Sequence, residues 1–283
     1  MSTLDHKIDF AVVLSVSKAN PNGDPLNGNR PRQNYDGYGE ISDVAIKRKI
    51  RNRLQDMGEA VFVQSDDRKI DGYRSLRERA DANPELAKML KAKNPSADEF
   101  AQIACREWID VRSFGQVFAF KGSDLSVGVR GPVSVHVATS IDPIDIVSTQ
   151  ITKSVNSVTG EKRSSDTMGM KHRVDFGVYV FKGSINTQLA EKTGFTNDDA
   201  EKIKQVLATL FMNDSSSARP DGSMEVHKVY WWKHSSKIGQ YSSAKVHRLL
   251  TVKSKAEEPK SFADYEIELR ELEGLDVEVI DGQ

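Results

Sequence analysis

A single cysteine, Cys105, stands among 283 residues. That excludes an internal disulfide framework and fits a reducing compartment. One Cys and six scattered His also exclude a structural zinc site of the usual spacing. No glycine-rich phosphate loop ending in Lys-Ser or Lys-Thr occurs. Long apolar runs are missing too. The longest obvious one, FAVVL at 10–14, falls far short of the ~20 residues that cross a bilayer. The opening MSTLDHKIDF lacks the basic-then-apolar pattern of a secretory signal. A cytoplasmic protein with no membrane partner, metal or cofactor is expected.

What is there is charge, unevenly spread. The formal net charge of −1 hides an acidic segment, 257–283, with ten carboxylates against Lys260 and Arg270. That segment carries −8, so the rest of the chain carries +7. Such asymmetry points to a polyanion partner, or to contact between basic and acidic surfaces of neighbouring copies.

Periodicity outlines the elements. IDFAVVLSVS at 8–17 reads as a buried strand. A helix begins at Ser42, an N-cap, and runs to Met57 with Ile46, Ile50, Leu54 and Met57 on one face. AVFVQ at 60–64 reads as a short strand, and 73–110 as helical with a break at KNPSADEF, where Ser96 and Glu99 suit a capping box. Strands are expected at 117–120, 127–141, 174–185 and 223–234, with Val133, Val135 and Val137 alternating. A second helix spans 197–212 behind Thr196 and Asp199, and 265–280 reads as strand, turn at Gly274, strand. This order suits an α+β, ferredoxin-like or RRM-like βαββαβ unit with two large insertions. The open sheet of that fold often binds single-stranded RNA.

The residues SKANPNGDPLNGNRPRQNYDGYGEISD (17–43) between the first strand and helix are too many for an ordinary connection. Gly23 and Gly28 let backbone N–H groups approach a phosphate. Asn20, Asn22, Asn29, Arg30 and Arg32 add donors, arginine being able to engage phosphate bidentately. On the helix that follows, Lys47 and Arg51 share a face with Arg48 beside them, and no acidic partner lies between 44 and 55. A second basic stretch, 152–173, holds Lys153, Lys162, Arg163, Lys171, His172 and Arg173 around Met168-Gly169-Met170. On a projecting hairpin these methionines are candidate wedges between bases. A third stretch, 213–243, offers Arg219, Lys233 and His234, with Trp231 and Trp232 on opposite faces, one for the core and one for a base or a neighbouring subunit. Asp24, Asp36, Asp43 and Asp66–Asp67 read as turn formers, since a two-metal site needs convergent carboxylates. His172 is a candidate acid–base group, but no nucleophile–base–orienter set stands out.

Together, NPNGDP, GNRPR, SDVAIKRKIRN, DVRSFGQVF, VRGPVSV, TMGMKHRVDFGVY and WWKHSS resemble the backbone subunit of the type I-C CRISPR Cascade complex, the Cas-seven-type protein of the RAMP superfamily. The resemblance implies one domain over 1–283: an RRM-like palm, a helical finger at 65–110, a thumb β-hairpin at 145–175 and the acidic C-terminal segment 257–283. It implies copies assembled head-to-tail along a CRISPR guide RNA, with other Cascade subunits, presenting the guide to a target DNA strand. Ser42, Lys47 and Arg51 would hold phosphates, and Met168 and Met170 would displace a base. The subunit would be non-catalytic. Related RAMP proteins cut RNA with a first-loop Asp or a His, so Asp24, Asp36 and His172 keep an RNA endonuclease as the alternative.

Overall fold

The computed structural model describes residues 2–155, 159 and 168–283. β1 (Ile8–Ala19) leads through short β2 (Gly23–Asp24), β3 (Arg30–Pro31) and β4 (Tyr38–Ile41) into α1 (Asp43–Asp56). Then come α2 (Leu76–Asp81), α3 (Pro84–Lys91), α4 (Ala97–Glu107), α5 (Ile109–Phe114), and the strands β5 (Gly115–Ala119), β6 (Ser126–Arg130), β7 (Val133–Val135), β8 (Ala138–Pro143) and β9 (Ile146–Thr152). β10 (Met168–Ile185), α6 (Thr187–Thr193), α7 (Asn197–Ala208), β11 (Met224–Lys233), α8 (Ser243–His247), β12 (Leu250–Ser254), β13 (Tyr265–Leu269) and β14 (Val277–Asp281) complete the order. The chain is thus a mixed α+β protein built on a large antiparallel sheet. No helix among the described residues is long and apolar enough to cross a membrane.

The main sheet runs β14-β11-β1-β10-β8-β4, with β7 and β9 also paired to β10. β1 sits between β10 and β11, and its first nine residues are all buried. Phe10, Val12, Leu14 and Val16 face α1 and α7, meeting Ile46, Ile50, Leu54, Ile203 and Leu207. Ala11 and Val13 face the other way, with Tyr230, Trp232, Val246 of α8, Leu250 of β12 and Tyr265 of β13. Burying an aliphatic or aromatic side chain of this size contributes about 1.5–3 kcal/mol, and layers on both faces explain the unbroken apolar run of β1. Two expectations fall here. Among the described residues, the central strands of the sheet are covered on both faces, which leaves no open face there for RNA. Trp231 and Trp232 do point to opposite faces, but both are buried, Trp231 stacked with Phe10 at 5.8 Å and Trp232 near Tyr230 at 6.1 Å.

A second core lies outside the sheet. Phe62, Leu86, Phe100, Ile103, Trp108, Phe118 and Val127 join α2–α5 to the β5–β6 hairpin, so this helical unit reaches beyond the expected 65–110 bounds. The strand expected at 60–64 is absent because its backbone pairs with a side chain instead. The fully buried Asp110 accepts from Phe62 N (2.7 Å) and Val63 N (3.0 Å). Arg112 then ties α5 to α7 through both oxygens of Asp199, at 3.0 and 2.8 Å. The strand expected over 127–141 breaks into β6, β7 and β8. Pro132 lacks a ladder N–H, and a side chain at Gly131 would meet Ser113 O at 2.3 Å. Val137 is exposed accordingly.

The helix starts read from local spacing hold. Ser42 Oγ accepts from Ala45 N, and Thr196 with Asp199 forms a reciprocal capping box. At Ser96 only the serine half of the box is present. α7 stops at Ala208, four residues before the expected end. Thr209 Oγ1 bonds back to Gln205 O at 2.9 Å, and the turns that follow reach Asn213 in left-handed conformation (φ 57°).

Candidate nucleic-acid interface

The long connection after β1 is a wired structure. β2 and β3 form a miniature ladder, Gly23 opposite Pro31 and Asp24 opposite Arg30. Asp24 Oδ1 accepts from Leu26 N at 3.2 Å, and Gly28 and Asn29 close the turn with φ of 58° and 59°. Asn20 Nδ2 donates to Asn29 O at 2.7 Å. Asn22 Oδ1 accepts from Ser42 N at 2.9 Å, while Arg32 N donates to Asn22 O at 3.0 Å. Asn20, Asn22 and Ser42 therefore serve the fold first. They fasten the loop to the N-terminus of α1 and set Arg30 and Arg32 beside it.

The same loop meets the β9–β10 hairpin. β10 continues past the sheet, pairing with β9 from Val174–Ile146 out to Met168–Thr152, about 20 Å at ~3.3 Å per residue. Arg30 Nη1 donates to Ser148 Oγ at 3.0 Å, and His172 Nδ1 lies 2.8 Å from the same oxygen. Two side chains able to carry positive charge thus converge on one hydroxyl. Where β1, β3 and β10 meet, four buried polar atoms lack partners: Arg32 Nε, Arg173 Nε, Asn20 Oδ1 and Ser223 Oγ. Arg173 precedes Val174, which pairs with Ala19 at the end of β1, and Ser17 N donates to Ser223 O at 2.8 Å. Leaving such a donor buried and unpaired costs about 1–3 kcal/mol. Two open guanidinium donors at one junction fit an anion. Arg219 borders this junction, because Asn20 N donates to Ala218 O at 2.9 Å and Arg219 Nε lies 3.3 Å from Asp214 Oδ2.

A sequence profile for CRISPR-associated protein Cas7 matches residues 6–270. The chain belongs to the Cas7 family. A curated CRISPR-associated protein Cas7 of Haloferax volcanii is 26% identical over 234 residues, which span 77% of this chain and 67% of that protein. Among solved structures, a chain of a "CRISPR RNA-guided surveillance complex, pre-nicking" is similar at 15% identity with a TM-score of 0.49, covering 80% of this chain and 78% of that one. A chain of another "CRISPR RNA-guided surveillance complex" is similar at 17% identity with a TM-score of 0.39, covering 80% and 68%.

In this Cas7 chain the other expected residues divide into three groups. Met168 and Met170 share one face of the hairpin and are 63% and 54% exposed, with Lys171 exposed beside them. Ile151 packs over Gly169 on the opposite face. Lys153 follows β9 at the same distal end, and Lys162 and Arg163 lie outside the described residues. On α1, the acid-free face is overturned by carboxylates from outside the 44–55 window. Lys47 Nζ pairs with Asp43 at 3.0 Å, and Arg51 Nε with Asp110 at 3.0 Å. Arg48 Nη1 donates to Val63 O at 2.6 Å. The third group lies at the far end of the sheet. Lys233 pairs with Ile8 at the start of β1, roughly 40 Å from Asn20 at ~3.3 Å per residue. His234 is buried there, its Nε2 2.8 Å from Asp9 Oδ2, which removes it from any surface.

Of the candidate endonuclease groups, Asp24 is engaged with Leu26 N and lies 3.6 Å from Arg32, while Asp36 sits on an exposed turn. Ser148 and Asp110 went unsuspected in the sequence. Their partners lie far along the chain, where no spacing rule operates. Lys18 offered a weak signal as a lysine at the end of a strand; it takes a φ of 54° and pairs with Asp175.

Proposed function

We infer that this Cas7 chain is a backbone subunit of a CRISPR RNA-guided surveillance complex, of the type I-C Cascade kind, and that it holds the guide RNA. The observation that carries the reading is the set of cationic side chains where the loop meets the hairpin: Arg32 Nε and Arg173 Nε are buried donors without partners, and Arg30 and His172 converge on Ser148. Phosphates of the guide backbone, one to each guanidinium group, would satisfy them without reading a base. The strand order β11-β1-β10-β8, with α1 and α7 packed on one face, supports the ferredoxin-like palm. The two-core arrangement supports a finger distinct from that palm, and the β9–β10 hairpin supports a thumb whose Met168 and Met170 displace a base. The charge asymmetry along the chain supports head-to-tail contact between copies, which leaves an open filament when the interface is heterologous. Target DNA then pairs with the displayed guide. The chain scaffolds RNA rather than cutting it.

Titration of two unrelated single-stranded RNAs over a range of salt tests this. Both should bind with equal affinity. Arg32→Ala with Arg173→Ala should lower the slope of log K against log salt by about 1.4, taking ~0.7 per phosphate on a single strand. Equal slopes for the variant and the unaltered chain would remove these arginines from the backbone site. Shortening of the RNA with Mg²⁺, abolished by Asp24→Asn or His172→Ala, would favour the endonuclease.

A further inference from the structure

Lys49 lies on the buried side of α1, its side chain 6% exposed, and its ammonium pairs with Asp214 Oδ2 in the segment between α7 and β11. The same oxygen lies 3.3 Å from Arg219 Nε, and the Lys49 ammonium lies 5.5 Å from the centroid of the Phe211 ring. One carboxylate serves two cations, so the group carries a net positive charge. The segment is also fastened to the cradle at two points, through Ala218 O to Asn20 N and through Ser223 O to Ser17 N. We infer that Lys49 is a positioning residue for the guide-phosphate cradle: it holds Asp214 so that Arg219 and the Asn20 wall are set against the RNA backbone, and it supplies the charge that leaves Arg219 free to attract a phosphate. This rests on the guide-holding reading of the cradle.

Electrostatics give the inference a distinctive signature. Burial pushes the Lys49 ammonium down to about 8, against the opposing pull of Asp214 and with a smaller push from Arg219, the two charged groups that act on it. Above that pH Lys49 is neutral, Asp214 is left to compensate Arg219, and the group loses its excess charge. Arginine and phosphodiester do not titrate there. RNA affinity therefore falls as pH rises through about 8. Thermal stability does not follow. A lysine depressed in the folded state holds fewer protons there than in the unfolded chain, so its deprotonation relieves a burial cost instead of adding one.

The test measures binding of a fluorescein-labelled single-stranded RNA of mixed sequence to the full chain, with Tm recorded at each pH. The unaltered chain should lose about two- to threefold in affinity between about pH 7 and about pH 9.5, the effect of one charge acting over about 10 Å with ordinary screening, with no matching fall in Tm. Lys49→Arg should give a flat profile at full affinity, and Lys49→Met a flat profile at the reduced affinity. A flat profile for the unaltered chain, or Lys49→Met binding as well as the unaltered chain at neutral pH, overturns the inference alone. Absence of RNA binding by the unaltered chain overturns the guide-holding reading and the inference with it. Should Lys49→Met fail to fold, the unaltered chain against Lys49→Arg decides the matter.

Discussion

Replacing Arg51 by Ala distinguishes a cation that holds the protein together from one that holds RNA. Its side chain is 13% exposed, and its guanidinium donates to Asp110, which is fully buried and also accepts from Phe62 N and Val63 N. Removing one partner of a buried ion pair costs about 3–5 kcal/mol, because the other charge stays buried. The two backbone donors still hold the Asp110 carboxylate, which places the expected loss near the lower end, about 3 kcal/mol. The guanidinium also lies 5.0 Å from the centroid of the Phe114 ring, a contact of about 0.5–2 kcal/mol. In a chain of this size that should lower Tm by roughly 5–10 °C. Differential scanning fluorimetry reads the shift, and RNA titration over salt reads the other role. The expected outcome is a lower Tm with an unchanged salt slope. Lys47→Ala provides the contrast: its i,i+4 pair with Asp43 is worth only about 0.3–0.5 kcal/mol. An Arg51→Ala variant with unchanged Tm and a salt slope reduced by about 0.7 would show that Arg51 faces RNA and that its contact with Asp110 is incidental.

Three further outcomes follow from the same structure. Trp232→Ala should cost about 3–5 kcal/mol, measured by urea unfolding, because α8 and the β12–β13 hairpin cover that face of the sheet; a negligible cost would mean the face is open. Burial pushes His227 and His247 below the ordinary 6.5, so the unfolded chain binds more protons and stability should fall as pH drops below about 6.5; a urea midpoint that rises on acidification would contradict this. Met168→Gly with Met170→Gly should keep most of the RNA affinity, which is electrostatic, yet flatten the regular pattern of chemically reactive bases along a bound guide; a persisting pattern would clear the methionines of base displacement.

The features legible in the sequence are those whose causes are local. The Ser42 cap and the Thr196–Asp199 box follow from partners three residues apart, and β1 follows from its unbroken apolar run. What escaped depends on contacts across long separations. AVFVQ has the composition of a strand, yet Asp110, 48 residues from Phe62, takes its N–H groups. Arg51 looked free because its carboxylate, Asp110, lies 59 residues along the chain, whereas the partner of Lys47, Asp43, stands at ordinary i,i+4 spacing just before the 44–55 stretch. The covering of the second sheet face depends on β12, whose LTVKS gives little periodic signal. In the proposed cradle, the Asn, Gly and Arg residue types marked the loop that meets the β9–β10 hairpin. The convergence of Arg30 and His172 on Ser148 joins positions 118 and 24 residues apart, which only the folded register brings together.

The central claim, that several copies of this chain hold one guide RNA, is tested most directly by the native mass of the particle that co-purifies with its RNA. The account predicts one RNA plus a whole number of 31.5 kDa chains greater than one, with the RNA at full length. A nucleic-acid-free monomer from cells that express the guide, or a particle whose RNA shortens on standing, would contradict it.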